Sequence, residues 1–150
     1  MPDTTYGRAV SLAWTGGSAT SPLPNIQSYN FNQTKELVDF LNGNARVKSF
    51  YSATEDAVIS VTTKDIGSAR LFAQGEYVTS LILTLEGATQ SDGTAASSYK
   101  ITFSKAIVNS GKSIEHGNED SAPAIYTVEF RLARKEADSA DPTVTFSAVT

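Results

Sequence analysis

His116 is the single histidine of the chain and sits in the segment SIEHGNEDSAP, with Glu115 before it and Glu119 and Asp120 after it. An imidazole among carboxylates is a donor set that a divalent cation could use, and a positioned histidine is the commonest general acid or base. Both roles need donors at fixed intervals on a rigid element, and a run of Gly, Asn, Ser and Pro provides none. The group reads as a solvated polar connection. The adjacent carboxylates Glu55 and Asp56, and Glu119 and Asp120, fail as an acid–base pair for the same reason. Gly111-Lys112-Ser113 has the closing letters of a phosphate loop, but it lacks the upstream glycine and Gly117 comes too soon for a following helix. With no cysteine in the chain, disulfides, thiolate metal sites and cysteine nucleophiles are excluded. No enzyme activity, metal or cofactor is expected.

A second group, Arg46, Lys48, Phe50 and Tyr51, interleaves cations with aromatics inside NGNARVKSFYSATED, residues 42–56. Two cations do not make a nucleic-acid groove. Lys plus Arg number 12 against 16 Asp plus Glu, a formal net charge of -4, which opposes tight wrapping of DNA while leaving DNA free to pass nearby. Aromatic anchors flanked by cations are instead what protein interfaces favour. The later acidic residues Glu115, Glu119 and Asp120 are suitable partners for those cations on another subunit.

A third group lies on AIYTVEFRLAR. In an extended strand Tyr126, Val128, Phe130 and Leu132 share one face and Thr127, Glu129 and Arg131 the other. The first set predicts a core, shared with Ile101, Phe103, Leu83 and Leu85. The second set faces solvent, a substrate or another copy of the chain.

The elements that must carry these groups follow from periodicity. Val10, Leu12 and Trp14 alternate with polar or small residues and predict a first strand that stops at the Gly/Pro-rich TGGSATSPLPN. Residues 32–44 fit either a helical face or one side of a long strand, and residues 42–56 show no sustained period and read as a long loop or loose hairpin, a place where function concentrates. AVISVTT is β-branched and predicts a strand; Asp65 then caps a short helix that Gly75 ends, with Leu71 and Phe72 packing inward. YVTSLILTLE, SYKITFSKAIV, the AIYTVEFRLAR strand and a terminal run through Val144, Phe146 and Ala148 follow, separated by polar turns. Short strands at regular spacing with one helix predict a mostly β fold: an antiparallel β-sandwich or small β-barrel with one short flanking α-helix, in one domain over residues 1–150. At 150 residues, such a domain buries about 70% of its unfolded surface. The amino end has neither a basic start and apolar run nor a cleavage site, and no apolar stretch reaches membrane-spanning length, so a soluble protein made in the cytoplasm is expected.

This order of elements resembles the tail tube proteins of tailed bacteriophages and related contractile injection systems. The resemblance covers most of the chain and is sharpest at ITFSKAIVNSG, the polar linker after it and YTVEFRLA. It departs from the family at NQTKELVDFLNGN, which is rich in helix-forming residues where the family has extended chain. The resemblance implies a virion structural protein that self-assembles into hexameric rings, stacked into a hollow tube for genome ejection. Its partners would be itself, sheath, baseplate and terminator proteins, with DNA passing through the lumen without specific binding, and its location the phage tail. It implies that Thr127, Glu129 and Arg131 face the lumen or a neighbour. The alternatives are another small β virion protein, such as a head decoration or tail terminator protein, and a carbohydrate-binding module in which Tyr6, Trp14 or Tyr51 stacks on a sugar.

Overall fold

The computed structural model describes residues 6–23, 25–40, 49–87, 93, 98–119, 121–135 and 137–148, with the side chains of 6, 36–40 and 49–54 excepted. The strands are β1 (Tyr6–Thr15), β2 (Ile26–Phe40), β3 (Ser49–Thr63), β4 (Tyr77–Gly87), β5 (Tyr99–Val108), β6 (Ile114–Glu115), β7 (Ile125–Leu132) and β8 (Val144–Ala148), with α1 (Ile66–Ala69) between β3 and β4. They form one antiparallel sheet in the order β1-β4-β5-β7-β3-β2, with β6 added to β7 and β8 added to β5. The sheet bends over on itself but is not closed into a barrel. Its core is lined by the inward faces that alternation predicts: Leu81, Leu83 and Leu85 from β4, Ile101 and Phe103 from β5, Ile59 and Val61 from β3, and Tyr126, Val128 and Phe130 from β7 are buried. Leu132, at the end of β7, only packs against this core and stays half-buried.

On β1 one register shift falls between Tyr6 and Ala9 and the next spans Val10, which leaves Val10 57% exposed and packs Ala9 against the core, while Leu12 and Trp14 are buried. Residues 26–40 are strand throughout, the extended one of the two alternatives open for this segment, and pairing with β3 holds it so despite the helical composition of QTKELVDF. Of the two alternatives for residues 42–56, long loop or loose hairpin, residues 49–56 take the hairpin form, as the first half of β3 paired antiparallel with β2, and 42–48 lie outside the described residues. The helix is one turn, Ile66–Ala69, shorter than the expected reach to Gly75; Asp65 caps it, its Oδ1 accepting from the Ser68 N–H at 3.1 Å. Phe72 is buried, but Leu71 is 40% exposed instead of packing inward. One turn of helix followed by a turn can aim only one of two adjacent side chains at the core. Phe72 takes that place, between Trp14 at 4.8 Å and Phe130 at 5.2 Å between ring centres.

Candidate assembly surfaces

The outward face of β7 is tied laterally into the sheet. The Thr127 hydroxyl lies 3.4 Å from that of Thr62 on β3, its register partner. Glu129 accepts from Asn109 Nδ2 at 3.1 Å, and its backbone N–H donates to Ser110 Oγ at 2.9 Å. Arg131 approaches Asp56 and Glu129, each at 3.6 Å. This is a half-exposed carboxylate–guanidinium–carboxylate row running across β3 and β7, in which Arg131 is 45% exposed. In water such pairs are individually weak, so the row sets the charge pattern of a surface more than it holds the fold together.

The second surface is the ribbon formed by β2 and β3. β7 flanks β3 only over Val58–Thr63, whereas β2 follows β3 down to Phe40↔Ser49. Among the described residues, β3 from Ser49 to Ala57 is therefore flanked by β2 alone, with seven of these nine positions in register with it. At about 3.3 Å per residue this carries a two-stranded ribbon roughly 25 Å past the flanking strand. A register shift between Lys35 and Leu37, where β3 runs from Glu55 to Ser52, marks an extra residue on the β3 side and the kink of a bulge. Phe50 and Tyr51 are backbone-paired with Asp39 and Val38 on this ribbon. Arg46 and Lys48 lie outside the described residues.

Of the acidic candidates, Glu115 sits on β6 opposite Ile125 and Glu119 on the following turn, both exposed; Asp120 lies outside the described residues. His116 is also exposed and its Nε2 is 2.7 Å from the Ala122 carbonyl; a carbonyl only accepts, so Nε2 carries the proton. The bond closes a surface loop. Among the described residues no group of three or more His, Asp or Glu is arranged to hold a metal ion, and no helix is long and apolar enough to cross a membrane. Trp14 is 5% exposed beneath Phe72 and is not available to stack on a sugar.

A third feature had no signal in the sequence periodicity. The chain between β7 and β8, residues 133–143, is pinned to β5: Lys105 Nζ lies 2.7 and 2.9 Å from the two Asp138 carboxylate oxygens, and Asp138 Oδ2 also accepts the Lys135 N–H at 3.0 Å. Lys105 and Lys135 stand 5.7 and 5.0 Å from the centre of the Tyr77 ring on β4. The hydrogen bond from Lys105, then that from the Lys135 backbone, holds the Asp138 carboxyl below the usual carboxylate range. At the side chains, 21% and 28% exposed, Lys105–Asp138 is the least exposed ion pair among the described residues. Partners more than thirty residues apart cannot be picked from charge spacing alone.

No protein family and no curated protein matches the chain by sequence. Its fold does match solved structures. A chain of the sheath–tube complex of an extracellular contractile injection system (PVC, extended state) superposes with a TM-score of 0.56 at 13% identity, over 93% of this chain and 88% of that one. A second match is the cap that terminates the tube of the anti-feeding prophage, with a TM-score of 0.52 at 11% identity, over 93% of this chain and 87% of that one. Over 93% of its length, then, the chain shares its fold with a component of a contractile injection system's sheath–tube complex and with a tube-terminating cap.

Proposed function

We propose that the chain is a structural subunit of a phage-type tail tube, assembling into hexameric rings that stack into a hollow conduit for genome delivery. The observation that carries this reading is the fold shared over 93% of the chain with a component of a sheath–tube complex. The β2–β3 ribbon supports it. A two-stranded ribbon beyond its sheet is marginal by itself and gains stability by lying on a neighbour. In this reading the segment containing Arg46, Lys48, Phe50 and Tyr51 contacts the next ring or the next subunit, with Glu115, Glu119 and Asp120 as the opposing anions. Thr127, Glu129 and Arg131 face the lumen or a neighbour. The Asp56–Arg131–Glu129 row carries more negative than positive charge, and with the net charge of -4 it suits a wall past which phosphate slides without being held. Sheath, baseplate and terminator proteins are the remaining partners, and the location is the tail of the particle.

A second reading rests on the likeness to a tube-terminating cap: a subunit that forms one closing ring without open-ended stacking. Negative-stain images of the purified protein separate the two. Long hollow polymers are the outcome expected for a tube subunit; isolated rings at all concentrations would establish the cap, and monomers would refute both.

A further inference from the structure

β7 and β8 follow the same edge of β5 in the same direction. Val108, Ile107 and Ala106 pair with Phe130, Arg131 and Leu132, and Phe103 through Tyr99 then pair with Val144 through Ala148 without a register shift. The two are one strand track interrupted by the excursion 133–143. At its far end the Ser104 N–H donates to the Thr143 carbonyl at 3.0 Å, and the Thr143 N–H to Ser104 Oγ at 2.8 Å. Between its ends the excursion is held by the Lys105–Asp138 pair.

β8 itself is thinly held. Among the described residues it pairs with β5 alone, and β3, the strand on the far side of β7, pairs with no part of it. Val144 is half-buried and the next four residues are exposed. Phe146 is 43% exposed although its ring lies 5.5 Å from Phe31 and 6.4 Å from Tyr99. Beneath it the β5 edge carries Ile101 and Phe103, 5% and 0% exposed. A strand paired on one side and mostly exposed opens at lower cost than the strands of the core, and the edge it uncovers is a template for another strand.

We propose that β8 is an exchangeable strand: with the Lys105–Asp138 latch released it leaves β5, and the β8 of a second copy of the chain takes its place on Tyr99–Phe103. The occupant follows from identity. A second copy's β8 presents the same residues in the same register, so every pairing lost is remade, and exchange of identical elements is a low-cost route between subunits. The excursion supplies the hinge, since eleven residues extend to at most about 40 Å. This inference does not depend on the tube reading, because a subunit of either proposed kind has the same edge.

The test uses the absence of cysteine from the chain. Thr102 and Thr145 are register partners on β5 and β8. A full-length chain with both Thr102→Cys and Thr145→Cys closes an internal disulfide on mild oxidation; failure to close would refute the pairing on which the proposal stands. Mixing one full-length chain carrying Thr102→Cys with another carrying Thr145→Cys then gives a disulfide-linked heterodimer on a non-reducing gel. Adding Asp138→Asn to both chains speeds its formation at least tenfold. A control mixture of Thr102→Cys with Ser139→Cys, in the excursion, gives no such increase. Heterodimer no more abundant than in the control overturns the exchange, and equal rates with and without Asp138→Asn overturn the latch. Electron microscopy of the oxidised double-cysteine chain judges the tube reading separately: tubes that form with β8 locked leave that reading standing whatever the mixing experiment shows.

Discussion

Glu129 and Arg131, the charged pair on the outward face of β7, are each engaged inside the subunit: Glu129 with Asn109, Arg131 with Asp56 and with Glu129 itself. Their neighbours on the inward face are the deepest residues of the fold, and Phe130 is 0% exposed against Phe72. Phe130→Ala is expected to cost about 3 to 5 kcal/mol, read as a lower midpoint in urea denaturation of the isolated subunit; an unchanged midpoint would contradict the burial of that face. At Asp65, replacement by alanine removes the oxygen that accepts the Ser68 N–H and is expected to cost about 1 kcal/mol in the same measurement. Asp138 sets a pH dependence. Its carboxyl titrates below the ordinary value because Lys105, and then the Lys135 backbone, favour the charged form, so its contribution is complete above the unfolded carboxylate range and is lost as pH falls through the lower folded value. The melting temperatures of wild type and Asp138→Asn are therefore expected to differ at neutral pH and to converge below about pH 4; a gap that stays constant down to pH 2 would mean the carboxylate charge contributes nothing.

At the scale of elements the β2–β3 ribbon is the part with the least support from its own chain. Its inner half belongs to the sheet through Val58–Thr63 and β7; its outer half, from the bulge to Phe40 and Ser49, pairs only within the ribbon among the described residues. Replacing Phe50 and Tyr51 together by Ser is expected to leave the far-UV circular dichroism and melting temperature of the free subunit nearly unchanged while abolishing long polymers, because an interface lost once per subunit is lost at every repeat. Polymers of normal length from the doubly substituted protein, seen in negative stain, would show that the ribbon is not an assembly element. α1 contrasts with the ribbon: a single turn, it matters by delivering Phe72 between Trp14 and Phe130, while Leu71 beside it stays at the surface.

For the whole molecule, an antiparallel sheet that is not closed into a barrel has, among the described residues, edges at β1 and β2 to which a further strand can add. The architecture was legible in the sequence where local rules decide it. Strict alternation at residues 126–130 and 99–103 settled the facing of β5 and β7, because side chains in a strand alternate by geometry whatever surrounds them. Asp65 was readable as a cap because its partner is three residues away. The inventory of chemistry was readable too, since a residue type that is absent, such as cysteine, stays absent in any fold. Tertiary structure decided the rest. Bulges, which depend on the partner strand, turned Val10 outward and Ala9 inward. Pairing with β3 made strand of a segment whose composition also suits helix, because a continuous ladder of hydrogen bonds outweighs propensities of a few tenths of a kcal/mol per residue. The Lys105–Asp138 pair and the interrupted β7–β8 track depend on residues more than thirty positions apart meeting at one edge, and proximity of that kind is a property of the folded sheet that no local pattern encodes.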